Sequence, residues 1–280
     1  MEKIRYPAVA GQFYPEEKEN LERQIEDFLN RAKIEKIEGE IVGGIVPHAG
    51  YIFSGFVASH FYKAIEKEKF ETAILIGDSH YERFEGISVF KSGKWITPLG
   101  EVLVDENLAK ELLDFSPRFF ERDSAHLFEH SLEVQIPFLQ KVLKNFKILP
   151  IIFGSEDKDW KDLARAILKL REKKKVILVI SSDLSHYPPY EIAKELDKKT
   201  VKEILKLDPE KFSKKADELE EKYKVDCVAC AKDSIKTILE ISKILKLKAK
   251  LLKYQNSGDT VFGDKERVVG YCSILFFNFS

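Results

Sequence analysis

The sequence is poor in cysteine and has no long apolar run. Only three cysteines, Cys227, Cys230 and Cys272, occur in 280 residues. A disulfide framework is therefore not expected, because a chain of this length can bury enough apolar surface without covalent links. No run approaches the roughly 18 apolar residues that a membrane-spanning helix needs, and the first residues lack the apolar core of a signal peptide. We expect a cytoplasmic protein without a membrane partner.

The chain also has almost no net charge, since 46 Lys and Arg oppose 47 Asp and Glu. Such a balance predicts no strong attraction to nucleic acid or to an anionic membrane. The charged residues are mostly Lys and Glu, and there is a single Met. This thermophile-like composition is typical of proteins that work at high temperature, and it does not indicate a function.

Several catalytic and nucleotide-binding motifs are missing. The sequence contains neither a Walker-type loop nor G-x-G-x-x-G, so nucleotide binding has no support. Ser54 precedes a glycine, but the earlier glycine of the G-x-S-x-G hydrolase motif is absent.

Short β-branched runs alternate with amphipathic segments along the whole chain. The predicted strands are Ile41 to Val46, Thr72 to Ile76, Lys147 to Phe153, Val176 to Ser181, Lys250 to Tyr254 and Val268 to Phe277. The predicted helices are Lys18 to Lys33, Gly55 to Lys67, Asn107 to Asp114, Glu129 to Asn145, Asp159 to Lys173, Tyr190 to Leu207, Pro209 to Tyr223 and Cys227 to Ile244. This alternation predicts an α/β fold with a largely parallel central sheet and helices on both faces. No repeat or linker divides the chain, so residues 1–280 are expected to form one domain.

Polar side chains follow three of the predicted strands. His48 follows the first, His80 follows the second, and Asp183 and His186 follow the fourth. The carboxyl edge of an open α/β sheet is where ligands bind. Imidazole is the commonest metal ligand and also titrates near neutral pH, so these residues could bind a cation or move a proton. Structural histidines that satisfy buried polar groups are the alternative.

Two other patterns also suggest chemistry. The segment from His126 to His130 fits the H-x-x-E-H motif of inverted zinc peptidases, and a helix would place both histidines on one face. No third ligand for such a site is identifiable downstream. Cys227 and Cys230 form a C-x-x-C pair without the second pair that a structural zinc site needs. The start of a helix would lower a thiol pKa, so one thiolate could still ligate a metal.

Taken together, several segments resemble the Memo family, in order and over nearly the whole chain. They are Pro7 to Pro15, Pro47 to Tyr51, Gly77 to His80, Glu129 to Glu133, Ser181 to His186, Asn256 to Asp259 and Arg267 to Tyr271. Memo proteins are similar in fold to class III extradiol dioxygenases, and their pocket resembles that non-haem iron site. The resemblance therefore implies a dioxygenase-like fold and a metal-binding pocket that holds iron or copper, with zinc also compatible.

The same resemblance implies roles for particular residues. His48 and His80 match two metal ligands, and a cysteine replaces the carboxylate ligand of the dioxygenases. Cys230 fits the frame of the family cysteine better than Cys227, which stays the alternative together with Asp183. The catalytic candidates are His186 at the acid/base position, Asp183 and His130, whereas His126 matches nothing. By family association, the expected partners are AMMECR-like and radical SAM proteins.

Three functions remain compatible with the sequence. The leading hypothesis is an iron or copper oxidoreductase of unknown substrate, in which His186 and Asp183 move protons. A non-enzymatic module that binds a peptide or small ligand, or that regulates through the pocket, is the first alternative, and a zinc hydrolase is the second. The cysteine affects which metal is expected, because a thiolate is softer than a carboxylate and favours copper(I) or zinc.

Overall fold

The computed structural model describes residues 3–154 and 159–278. The strands are β1 (Ile4–Arg5), β2 (Glu40–Val46), β3 (Thr72–Asp78), β4 (Ile87–Val89), β5 (Lys94–Thr97), β6 (Gly100–Leu103), β7 (Phe119–Phe120), β8 (Lys147–Phe153), β9 (Val176–Ser181), β10 (Lys248–Asn256) and β11 (Gly270–Asn278). The helices are α1 (Lys18–Arg31), α2 (Tyr51–Ile65), α3 (Glu106–Leu113), α4 (Ser124–Leu127), α5 (His130–Glu133), α6 (Ile136–Val142), α7 (Trp160–Arg171), α8 (Tyr190–Ile204), α9 (Pro209–Tyr223) and α10 (Lys232–Leu245).

An eight-stranded sheet in the order β10-β11-β2-β9-β3-β8-β4-β7 forms the centre of the molecule. Its four middle strands, β2, β9, β3 and β8, are parallel neighbours. Antiparallel pairing joins β11 to β2 on one side and β4 to β8 on the other. The prediction of an α/β fold with a largely parallel centre is confirmed. A small sheet in the order β1-β5-β6 was not predicted.

The two faces of the central sheet bury separate apolar cores. Along β3, Ala73 and Leu75 join the core that also contains buried residues of α1, α2 and α6. Ile74 and Ile76, which point the other way, join the core with buried residues of α3, α7 and α10. Successive side chains of a strand alternate between faces, so a near-continuous apolar run indicates a strand covered on both sides. Helices therefore cover both faces, as predicted.

Two predicted helices are wrong in detail. The helix expected from Glu129 to Asn145 is broken into the short α5 and α6, separated by Val134 and Gln135. The helix expected to begin at Cys227 begins only at Lys232. There the Asp78 carboxylate, from the end of β3, accepts hydrogen bonds from the first-turn backbone N–H groups of Asp233 and Ser234. A cap supplied from so distant a position leaves no local sequence signal.

Within the described ranges, no helix combines the length and the apolarity that crossing a bilayer would require.

Candidate metal centre

The carboxyl ends of β2, β9 and β3 lie side by side and bring the predicted residues together. His48 follows β2, Asp183 and His186 follow β9, and His80 follows β3. Because these neighbouring strands are parallel, the segments that follow them leave the same edge of the sheet. Cys230 reaches this edge from the loop before α10, a helix that packs on β3 and β9.

The predicted trio of His48, His80 and Cys230 forms a compact group of donors. One potential ligand atom from each residue lies within 4.8 Å of the others. The Sγ atom of Cys230 is 3.2 Å from Nε2 of His48. Nitrogen and sulfur ligands at ordinary zinc bond lengths, in tetrahedral geometry, are about 3.6 Å apart. The donor set therefore fits a small transition-metal cation without a large rearrangement.

The hydrogen bonds around Ser181 determine which nitrogen of His48 is available. The Ser181 hydroxyl donates to the carbonyl oxygen of Ser131 at 2.7 Å and accepts from Nε2 of Gln135 at 2.9 Å. Since a hydroxyl has one proton, its 3.1 Å contact with His48 requires the imidazole Nδ1–H to donate. Burial, followed by the charge of His80, holds the pKa of His48 well below its usual value. The neutral ring therefore turns the Nε2 lone pair toward Cys230.

Glu129 holds His80 in the complementary orientation. Nδ1 of His80 lies 2.9 Å from Oε1 of Glu129, and the backbone N–H of His80 donates to Oε2 at 2.8 Å. Burial lowers the pKa of His80, but the hydrogen bond and the charge of Glu129 outweigh it and raise that pKa. Burial likewise opposes ionisation of Glu129, yet the contacts with His80 lower the Glu129 pKa to about 2. A carboxylate on the outer nitrogen of a ligating histidine is a common feature of metal sites.

The Cys230 thiol is fixed by the backbone of Asp183. Its sulfur accepts the Asp183 N–H at 3.2 Å, and the Cys230 N–H donates to the Asp183 carbonyl oxygen at 3.3 Å. Burial and the nearby Asp183 carboxylate raise the pKa of Cys230 well above its usual value. A coordinated cation reverses that effect, because the ligand is the thiolate.

The other two cysteines lie outside this group of donors. Cys227 lines the adjoining cavity, and burial raises its pKa to about 12. Cys272 is buried in the core.

Three further predicted residues surround these donors. Oδ1 of Asp183 accepts the His48 N–H at 2.7 Å, and Oδ2 lies 3.9 Å from His48 Nε2. The His130 ring centroid is 4.7 Å from that of His80, and burial and the neighbouring imidazoles lower the His130 pKa to about 3. His80, Glu129 and His130 form a second compact group of possible ligands. Nε2 of His186 is buried and has no hydrogen-bond partner among the described residues.

The H-x-x-E-H segment is not a single helix, which the zinc-peptidase interpretation of this motif would require. His126 belongs to α4 and His130 to α5, so the two are not arranged on one helical face. His126 is fully buried, and its Nε2 lies 2.9 Å from the Ser88 hydroxyl oxygen. Since that hydroxyl donates to the Arg122 carbonyl, the imidazole is the donor in this contact. His126 therefore has a structural hydrogen bond and belongs to neither group of possible ligands in the described part of the chain.

A cavity of about 510 Å³ adjoins the donor group. Metal-site and catalytic candidates line it together with several charged residues: Asp78, Ser79, His80, Arg83, Phe153, Gly154, His186, Asp226, Cys227, Ala229, Cys230 and Lys232. This volume is in the ordinary range for a small-molecule site.

The residues that orient the donors could not be identified from the sequence. Ser181, Gln135 and Glu129 were assigned no role there, although Ser181 and Glu129 lie inside segments of the family resemblance. Gln135 carried no signal, because its amide reaches Ser181 from the break between α5 and α6.

Comparisons with known proteins agree with this architecture. A protein from Escherichia coli K12 described as the uncharacterized protein JW3007 has a solved structure similar to this one, with a TM-score of 0.52 and 11% identity. The match covers 84% of this chain and 99% of that one. At that identity the likeness concerns the fold alone.

Sequence relatives are much more similar. A protein from Methanobrevibacter smithii named "MEMO1 family protein" is 40% identical over 98% of this chain and 99% of its own length. A protein of the same name from Sulfolobus acidocaldarius is also 40% identical, with the same coverage. The sequence profile of the family Memo, described as "Memo-like protein", matches residues 5–275. The chain therefore belongs to the Memo family.

Proposed function

We propose that this protein binds one transition-metal ion, iron or copper, through His48, His80 and Cys230, and that it acts as an oxidoreductase on a small molecule in the adjoining cavity. The observation that carries the proposal is the convergence of these donors within 4.8 Å. Both imidazoles are already oriented, because Ser181 occupies Nδ1 of His48 and Glu129 occupies Nδ1 of His80. Such outer partners are typical of metal ligands.

The remaining predicted residues suit proton transfer beside such a centre. A bound iron or copper ion would supply redox chemistry and Lewis acidity. His186 lines the cavity, and its buried Nε2 has no hydrogen-bond partner among the described residues, so the imidazole can carry a proton to or from a bound ligand. Asp183 is buried, and burial raises its pKa, although the charge of His186 opposes that shift.

The cysteine ligand distinguishes this site from the common iron oxygenase triad of two histidines and one carboxylate. A thiolate is a softer donor and favours copper(I) or zinc more than a carboxylate does. It therefore also supports a second candidate function, in which the protein binds a peptide or small ligand at a metal-containing pocket and catalyses no turnover. Zinc in the same site, acting in a hydrolase, is a third candidate.

Metal analysis of untagged protein purified without chelators tests the proposed centre. We expect about one iron or copper ion per chain, and at least a tenfold loss in the His48→Ala and His80→Ala variants. His60→Ala is the matched control, because His60 lies on α2 and its Nδ1 contacts the Phe56 carbonyl oxygen instead of the site. Metal contents that are equal in the control and both site variants would exclude the proposal. Oxygen uptake by iron-loaded protein with a panel of catechols separates an enzyme from a binding module.

Location and partners belong to the same proposal. We place the protein in the cytoplasm and propose AMMECR-like and radical SAM proteins as its partners, on the resemblance to prokaryotic Memo proteins. The test is whether these proteins co-purify with the tagged chain from its native cells. Their absence from the purified material would contradict the proposed partners.

A further inference from the structure

The charged residues around the cavity differ in whether their charges are already compensated. Asp78 accepts hydrogen bonds from the backbone of Asp233 and Ser234 and from the Ser234 hydroxyl at 2.5 Å. Lys232 forms an ion pair with Glu220 at 3.0 Å. These two charged groups of the cavity wall are therefore engaged by the protein itself.

Arg83 is different, although acidic residues flank it in sequence. The carboxylate of Glu82 binds the Arg122 guanidinium and accepts a hydrogen bond from the Ser124 hydroxyl at 2.9 Å. The carboxylate of Glu85 lies 3.3 Å from the Arg118 guanidinium. Both neighbouring carboxylates thus pair with other arginines, and Arg83 makes no ion pair or hydrogen bond with any residue in the described ranges.

Arg83 lies near the proposed metal centre. Arg83 lies three residues after His80 in the loop that follows β3, and both residues line the same cavity. The Glu82 N–H donates to the Ser79 hydroxyl oxygen at 3.2 Å, so one local hydrogen bond spans His80 and Tyr81 in this loop. The cavity of about 510 Å³ is of ordinary size for a small-molecule site, and Cys230 lines it together with His80 and Arg83. A small molecule can therefore contact the donor group and Arg83 at once.

We propose that Arg83 binds a carboxylate group of the small molecule that enters this cavity, so that the substrate or ligand class is small organic carboxylates. The planar guanidinium has donors that match a carboxylate with two parallel hydrogen bonds. The inference rests on the proposed function only for the opposite end of the ligand, which faces the metal.

Asp226 is a negatively charged residue of the same cavity and opposes anion binding near it. Its exposed carboxylate lines the cavity next to Cys227 and has no hydrogen-bond or ion-pair partner among the residues that the structure describes. It therefore adds a negative charge near Cys230 in the loop before α10, whereas Arg83 adds a positive one near His80 in the loop after β3. This asymmetry orients an anion with its carboxylate away from Asp226. Removal of the Asp226 charge should strengthen carboxylate binding.

Paired probes that differ in one carboxylate test the inference. On iron(II)-loaded protein without oxygen, calorimetry compares catechol with 3,4-dihydroxybenzoate. We expect the carboxylated probe to bind at least tenfold more tightly to the wild type, since charge-assisted bidentate pairs are among the stronger hydrogen bonds. The preference should disappear in Arg83→Ala and Arg83→Gln, partly return in Arg83→Lys, and increase about twofold in Asp226→Asn. Arg165→Ala is the control, because Arg165 lies on α7 and pairs with the partly exposed Asp162.

A second arm makes the result independent of the metal. On metal-free protein, ligand-observed NMR compares benzoate with benzyl alcohol, and binding of benzoate alone should depend on Arg83. If neither arm shows an Arg83-dependent preference for the carboxylate, including the case in which no probe binds, the inference is wrong. The proposed centre is judged separately, by the metal contents of the wild type and of His48→Ala. Loss of the carboxylate preference in Arg165→Ala would also overturn the inference.

Discussion

Glu129 contacts His80 at two points, because Oε1 lies 2.9 Å from the imidazole Nδ1 and Oε2 accepts the backbone N–H of the same residue at 2.8 Å. These two contacts hold the His80 imidazole and the backbone of its loop, and they direct Nε2 of His80 toward His48 and Cys230. Glu129 also accepts the Ser131 N–H at 3.0 Å, which ties the start of α5 to the site. The carboxylate is therefore a positioning group for His80.

We expect Glu129→Gln to lower metal affinity about 10- to 100-fold while the chain stays folded, because loss of an outer partner weakens a ligating histidine to that extent. Competition with a chromogenic chelator measures the affinity, and circular dichroism verifies the fold. Glu85→Gln is the control, since Glu85 is exposed and pairs with Arg118. An unchanged affinity in Glu129→Gln would mean that His80 needs no such support.

The two thiols of the C-x-x-C pair should differ in their effect on the metal. Only Cys230 belongs to the compact donor group, whereas Cys227 lines the cavity. Cys230→Ser should therefore reduce copper(I) affinity at least tenfold, since a soft ligand is replaced by a hard one. It should also abolish the sulfur-to-metal charge-transfer absorption of cobalt-substituted protein, while Cys227→Ser should retain both properties. The reverse pattern would make Cys227 the ligand.

The sequence predicted the positions of the donors better than the network that holds them. His48, His80 and Asp183 could be located because each follows a buried apolar run, and parallel strands bring such positions to one edge. The orientation of His48 depends on Ser181 and Gln135, whose contact joins positions 46 residues apart. No periodicity encodes such a hydrogen bond.

The break between α5 and α6 is a second feature that the sequence could not predict. The apolar pattern from Glu129 onward suits a helix, but Glu133 forms a buried ion pair with Arg5. Arg5 also donates to the carbonyl oxygens of His126 and Glu129, at 3.2 and 2.9 Å. Tertiary contacts with the N-terminal strand thus engage the backbone of this segment, and local propensity does not report them.

The buried pair of Arg5 and Glu133 should be important for stability. Glu133 also accepts hydrogen bonds from the N–H groups of Ala8 and Val9 and from the Tyr14 hydroxyl. Glu133→Gln leaves the buried guanidinium without its counter-charge, so we expect a loss of about 3–5 kcal/mol in the free energy of unfolding. Guanidinium chloride titration measures this change.

The control for that variant is Glu121→Gln. Glu121 pairs with Lys3 at the partly exposed surface, and such pairs contribute at most about 1 kcal/mol. If the two variants lose similar stability, the buried pair has no special role. Because Arg5 holds the carbonyl of Glu129, Glu133→Gln should in addition weaken metal binding, which Glu121→Gln should leave unchanged.

Asp197 should make stability depend on pH. It is fully buried on α8, where it accepts the Ser185 N–H at 3.1 Å and the Tyr254 hydroxyl at 2.8 Å. Its Oδ2 lies against Gly270, where an added Cβ would be 1.9 Å away. Burial raises the pKa of Asp197 to about 7, and the hydrogen bonds only partly oppose this shift.

The sign of the effect follows from proton linkage. Between about pH 4 and pH 7 the folded chain retains the Asp197 proton while the unfolded chain loses it, so the free energy of unfolding falls as pH rises through this window. Asp197→Asn, which mimics the neutral acid, should remove this term, so the variant should gain roughly 1–4 kcal/mol relative to the wild type between pH 5 and pH 8. Guanidinium chloride titrations at several pH values measure the difference. Asp162→Asn is the control for the loss of one carboxylate from a partly exposed ion pair of α7. A difference for Asp197→Asn that does not vary with pH would mean that Asp197 is ionised in the folded protein, in which case the Ser185 and Tyr254 hydrogen bonds outweigh the cost of burying its charge.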